Sequence, residues 1–173
     1  MKKIIAAVLL SAFASASAFA AGDKNSIGVS YGLDYNGVLG IQGEFGIASK
    51  TNGQPLSVAA YYKNSSQTYF GVDAAISALG FTVNYDLSKE LKVRDDKLQP
   101  YAGIGFERVT ETVVIPGMPA TFFFPATPST TVSASTFQLS YTVGAKYEVT
   151  REINVAASYS SFGGLALGAN YNF

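Results

Sequence analysis

The chain has no cysteine, no histidine and no tryptophan among its 173 residues. Without cysteine there is no disulfide framework and no thiol to carry a lipid. Without histidine or cysteine, no Ser-His or Cys-His nucleophile can be assembled, and the usual transition-metal ligands are missing. Charge is also scarce and balanced, with 12 basic residues against 12 acidic ones. That balance leaves no basic excess for nucleic acid and no like-charge run of the kind that forms a disordered tail. Beyond residue 20 no apolar run approaches the length of a membrane-spanning helix. Neither an Asp-rich calcium loop nor a phosphate-cradling glycine loop is visible. Carboxylates such as Glu44, Glu107 and Glu148 could in principle exchange protons, but nothing in the pattern calls for an enzyme or for a cofactor.

What is present is apolar and turn-rich: 48% hydrophobic residues, 17 glycines, 11 tyrosines and 12 phenylalanines. The first residues, Met1-Lys2-Lys3, precede an apolar stretch from Ile4 to Leu10 and small residues ending Ala18-Phe19-Ala20. A basic start, a short apolar core and small residues before a cleavage point describe a secretory signal peptide. Residues 1–20 are therefore expected to be removed, leaving 21–173 as one exported, unlipidated domain.

Within that domain apolar and small or polar residues alternate with the period of a strand. Strand one sets Ile27, Val29, Tyr31, Leu33 and Tyr35 against Gly28, Ser30, Gly32 and Asp34, and a turn at Tyr35-Asn36-Gly37 follows. Strand two sets Leu39, Ile41, Phe45 and Ile47 against Gly40, Gln42, Glu44 and Gly46. A turn through Thr51-Asn52-Gly53 leads to strand three, where Leu56, Val58, Ala60 and Tyr62 oppose Ser57, Ala59 and Lys63. Further alternating runs centre on Leu79 to Leu87, Ala102 to Glu107, Phe137 to Val149, Ile153 to Ser160, and Leu165 to Phe173. The apolar parity carries no charge, whereas the other parity collects Asp34, Glu44, Lys63, Asp86, Glu107, Lys146 and Glu148. Both a soluble sandwich and a membrane barrel alternate in this way. The glycine, serine and asparagine of the second face suit the crowded inside of a narrow barrel better than a soluble surface, where more lysine and glutamate is expected. The expected fold is all-β: an eight-stranded antiparallel up-and-down transmembrane β-barrel with a polar network inside. If both ends lie on the periplasmic side, the outward aromatics fall into two belts, as on a lipid-facing wall.

Two stretches break the pattern. Phe70, Val72, Ala74 and Ile76 alternate out of phase with Leu79, Phe81 and Val83. Residues 63 to 73 are therefore expected to form an outer loop, with strand four starting at Ala74 and carrying a bulge near Ala78. Residues 109 to 135 form the longest interruption, punctuated by prolines at 116, 119, 125 and 128. This segment, with Val114, Ile115, Phe122, Phe123 and Phe124, is the expected surface contact region. The charged connection from Ser88 to Gln99 belongs to the opposite end, as a solvated turn or a contact with a periplasmic partner.

The final residues place Gly168, Tyr171 and Phe173 at glycine, aromatic and terminal-aromatic positions. That spacing resembles the assembly signal of bacterial outer-membrane barrels. With Pro100-Tyr101-Ala102-Gly103-Ile104-Gly105 and Gly144-Ala145-Lys146-Tyr147-Glu148-Val149-Thr150, the chain resembles the small eight-stranded outer-membrane barrels of the OmpA/OmpX-like and opacity-type group. The resemblance implies a Gram-negative outer membrane, insertion by the barrel assembly machinery, and contact with the lipid bilayer and lipopolysaccharide. Barrels of this group serve envelope integrity, adhesion, immune evasion or passage of small solutes, and fold does not choose among these roles. The expected role is structural or surface-interacting, with an unidentified host or surface ligand. A narrow channel for small or apolar solutes is the alternative.

Overall fold

A computed structural model describes residues 25–47, 51, 55–118 and 126–173. The expected signal peptide, the Asn52-Gly53 turn and Phe122 to Phe124 lie outside the described residues. Eight antiparallel strands follow one another in chain order and close on themselves. They are β1 (Asn25–Gly32), β2 (Val38–Gly46), β3 (Leu56–Tyr69), β4 (Val72–Asp86), β5 (Leu98–Ile115), β6 (Thr130–Glu148), β7 (Ile153–Ser160) and β8 (Gly164–Asn172). The seam is the β1–β8 ladder, from Ser26 opposite Asn172 to Gly32 opposite Ala166. Closure gives every strand two neighbours, which is what a backbone crossing lipid requires.

Alternation decides which side chain faces which medium. Val29, Leu39, Leu79, Ile104, Leu139, Val143, Leu165 and Leu167 stand exposed on the outer wall. Glu44, Thr82, Asn84, Glu107, Ser140, Asn154 and Asn170 are buried inside. Such an exposed apolar wall is unfavourable in water and favourable in a bilayer.

The two out-of-phase stretches are strands, not loops. β3 and β4 pair without interruption from Leu56 opposite Tyr85 to Tyr69 opposite Val72, so the bulge expected near Ala78 does not exist: Ala78 faces Lys63 in register. Phe70 and Gly71 close this hairpin with φ of 50° and 80°, the two left-handed residues of a tight hairpin turn. Likewise β5 and β6 pair up to Ile115 opposite Thr130, which places Val114 and Ile115 in a strand. Only 116–129 connect them; Pro116 and Pro128 interrupt the regular ladder, beyond which Thr127 still donates its N–H to the Met118 carbonyl at 3.0 Å.

The phase shifts because the medium changes, not the register. Tyr62, Leu79, Arg108 and Phe137 form one row across β3 to β6. Below this row the outer parity is apolar. Above it, the outer parity carries Ser77, Thr110 and Ser135, then Ala75, Thr112 and Ser133. Hydroxyls bond across the strands there, Thr110 to Ser135 at 3.0 Å and Thr112 to Ser133 at 2.8 Å. The inner parity of β4 to β6 becomes mainly apolar in exchange: Ala78 and Val109, then Ile76 and Ala134 beside Glu111, then Ala74, Val113 and Val132. The row marks the lipid boundary. Beyond it β3 to β6 rise as a sheet with a wet outer face, while β7 pairs β6 only from Thr142 downward.

A small apolar core closes the barrel just inside this boundary. Val38, Ala78 and Phe162 are fully buried, with Ile76 and Val109 packed against them. Phe162 comes from the β7–β8 turn, folds into the barrel mouth and stacks on Tyr35 at 5.4 Å between ring centroids.

Candidate functional site

The lumen holds two polar layers beneath the Phe162 plug. In the upper layer Glu107 of β5, 1% exposed, collects three donors. Tyr61 donates its hydroxyl to Oε2 at 2.9 Å; Gln138 Nε2 and Ser161 Oγ donate to Oε1, each at 2.8 Å. Tyr61 Oη also lies 2.5 Å from Ser140 Oγ. A buried carboxylate is costly unless several groups bond to it, and here β3, β6 and the β7–β8 turn each supply a partner. Gly80 makes the arrangement possible: a Cβ there would lie 2.7 Å from the Tyr61 hydroxyl and 2.8 Å from Glu107 Cβ.

Lys63 ties the plug down. Its Nζ donates to Ser160 Oγ and to the Phe162 carbonyl, both at 2.6 Å, and lies 5.0 Å from the Tyr61 ring centroid. A serine hydroxyl beside a lysine amine has the composition of a Ser-Lys nucleophile pair. Ser160, however, is 7% exposed and spends its proton on the Phe162 carbonyl at 2.8 Å. The pair is a clasp for the turn.

The lower layer is built on Glu44 and Lys146, which form an ion pair across the lumen from β2 to β6. Ser57 donates to Glu44 Oε1 at 2.6 Å, and Lys146 Nζ sits 4.9 Å from the Tyr101 ring centroid. Beside them runs an amide chain: Gln42 donates to Asn170 at 2.8 Å, Asn170 to Asn154 at 2.6 Å, and Asn154 to Asn172 at 2.7 Å. This chain links β2, β8 and β7 across the seam strand. A polar cavity of about 190 Å³ opens below this layer, lined by Glu44, Asp86, Gln99, Lys146 and Glu148 among others. A second space of about 50 Å³ lies higher, with Gln42, Tyr61 and Lys63 in its wall.

The charged residues expected inside are thus sorted into different environments. Glu44, Lys63, Glu107 and Lys146 face the lumen, but only Glu44 and Lys146 pair with each other; Lys63 and Glu107 are held by hydroxyl, amide and carbonyl groups. Asp86 and Glu148 line the lower mouth, and Asp86 Oδ1 accepts the Ser88 N–H at 2.8 Å. Asp34 does not belong to the interior. It is exposed in a single 3-10 turn, Asp34–Asn36, between β1 and β2, because β1 ends at Gly32 and the chain has already left the wall. Its carboxylate rests over Gly164, where a Cβ would lie 2.3 Å from Oδ2. Gly168 and Tyr171 stand in β8, paired with Ser30 and Ile27 of the seam, and Phe173 donates its N–H to the Asn25 carbonyl at 3.0 Å.

Several members of the site escaped the sequence pattern. Tyr61 sits on the inward parity between Ala60 and Tyr62, where its aromatic character gave no sign of a lumen position. Gln138 and Ser140 were visible only as polar members of a strand. Phe162 and Ser161 carry no local signal, since only closure of the barrel brings their turn over the mouth.

The family description outer membrane protein beta-barrel domain matches residues 6–173 of this chain. The chain belongs to that family. The barrel lies in the outer membrane of Gram-negative bacteria. Barrels of this kind extend their longer connections outside the cell, which assigns the end from which β5 and β6 rise to the extracellular side and the opposite end to the periplasm. Among solved structures, Neisserial surface protein A is similar at 15% identity and a TM-score of 0.58, over 87% of this chain and 96% of that one. The N-terminal β-barrel domain of Pseudomonas aeruginosa OprF matches at 13% identity and a TM-score of 0.54, over 87% and 97%. Ail, the attachment invasion locus protein of Yersinia pestis, matches at 14% identity and a TM-score of 0.51, over 87% and 99%. At these identities the likeness is one of fold. No curated protein matches the chain in sequence.

Proposed function

We propose that this outer-membrane barrel is a structural and surface-interacting protein with a filled lumen, whose raised β5–β6 hairpin makes contact outside the cell. The observation that carries this reading is the closure of the lumen by Glu107 and its three donors beneath the buried Phe162. An eight-stranded barrel is just wide enough for side chains to fill it. The contact role rests on the hairpin beyond the lipid boundary, where Val113, Ile115, Met118 and Val132 remain exposed. Apolar groups left in water above a membrane favour an external partner, such as lipopolysaccharide or a host surface. Insertion would proceed through the barrel assembly machinery, with Gly168, Tyr171 and Phe173 as its signal. The alternative, a narrow channel, is favoured by the cavity of about 190 Å³ at the periplasmic mouth.

Single-channel recording of the refolded barrel in a planar bilayer separates the two. A heat-modifiable, folded but silent protein is the expected result. Discrete, reproducible openings that change with Glu107→Ala or Lys146→Ala would overturn it and make the protein a pore.

A further inference from the structure

The β4–β5 connection at the periplasmic end is a folded turn rather than a slack one. Lys92 donates its N–H to the Lys89 carbonyl at 3.2 Å and Val93 to the Ser88 carbonyl at 3.0 Å, while Leu91 bonds to the Leu87 carbonyl. These are the paired bonds of a Schellman closure, and the residue that must turn left-handed within it is Lys92, at φ 51°. Glycine or asparagine normally takes that position, and a lysine there is strained. The turn is also fixed sideways. Tyr85, on the lipid-facing parity of β4, donates its hydroxyl to Glu90 Oε1. The turn therefore leans on the outer wall at the lower aromatic belt, away from the lumen mouth.

This position exposes Lys89, Lys92 and Arg94 together with Leu91, which is 61% exposed. The single acid among these residues, Glu90, is turned to the wall. Asp95 and Asp96, both exposed, follow just beyond, and Asp95 bends back on its own chain and accepts the Lys97 N–H at 2.9 Å. Among the described residues no carboxylate lies within ion-pair reach of the three cations.

We propose that this turn is a binding site for the anionic headgroups of phospholipids in the periplasmic leaflet. The turn lies at the level of Tyr85 in the lower aromatic belt, where headgroup phosphates of that leaflet lie, and Leu91 can enter the interface beside its exposed cations. A soluble anionic glycan or an acidic protein would need neither the placement on the outer wall nor the exposed leucine.

The test adds phosphatidylglycerol or phosphatidylcholine to the folded protein in neutral detergent and measures the lipid retained by native mass spectrometry. A basic residue near a membrane surface changes partitioning roughly fivefold. The wild type is expected to prefer phosphatidylglycerol about tenfold or more, and K89Q/K92G/R94Q to lose most of that preference. Glycine at position 92 relieves the left-handed strain, so this variant should keep its heat-modifiable folded band. Retained preference in the variant, or no preference in the wild type, overturns the proposal. So does wild-type binding of soluble peptidoglycan fragments as strong as its binding of phosphatidylglycerol, since the turn would then read a periplasmic polymer.

Discussion

At the scale of single residues, parity is a poor guide to energetic weight. Asp34 and Glu107 are both acidic residues on the inward parity. One rests in water on a turn; the other is buried with three donors pointed at it. Removing Glu107 leaves the amide of Gln138 without its acceptor and the hydroxyl of Tyr61 with Ser140 alone, and opens a cavity in a closed space, where each unsatisfied group costs about 1–3 kcal/mol. Glu107→Ala should therefore destabilise the barrel by roughly 2–4 kcal/mol, and Asp34→Ala by less than about 0.5 kcal/mol. Urea unfolding of both variants in vesicles checks this; equal midpoints would show that the carboxylate does not organise the lumen. The inward direction of Glu107 was readable from alternation. Its three donors were not, because Tyr61, Gln138 and Ser161 lie on elements that meet only around the closed barrel.

At the scale of elements, the extended hairpins show how a strand pattern can mislead while remaining regular. Alternation reports polarity against an assumed environment. β4 and β5 cross from lipid into water near Leu79 and Arg108, and their polar and apolar faces exchange there with no residue inserted. Read as one medium, the exchange looks like a bulge on one strand and a loop on the other. Because the upper rungs are added to a barrel already closed below, they are dispensable to it. Replacing residues 111–134 by Asn-Gly should leave β5 and β6 joined at Thr110 and Ser135, with the folded, heat-modifiable form intact and surface binding lost. Failure of that shortened protein to fold in detergent or vesicles would show that the raised sheet supports the barrel rather than extending from it.

At the scale of the whole molecule, stability depends on the seam. β8 both completes the wall and carries Asn170, the hub of the amide chain joining Gln42 and Asn154. Deleting residues 170–173 removes the rungs opposite Ser26, Ile27 and Gly28 and leaves an open edge in lipid, which the bilayer cannot satisfy. The shortened chain should fail to reach the compact, heat-modifiable form; recovery of that form at the wild-type level would show that closure does not require these rungs.

The amino-acid sequence by itself determined the all-β class, the number of strands and the division of each strand into a lipid face and an inner face. Those properties follow from period-two chemistry along each strand together with the small, polar composition of its second face. Only the tertiary structure decided where the membrane ends, which inward charges pair, and that Phe162 stoppers the mouth. These depend on which strands stand opposite one another across the lumen and on where each side chain changes medium, and neither is recorded in the local spacing of residues.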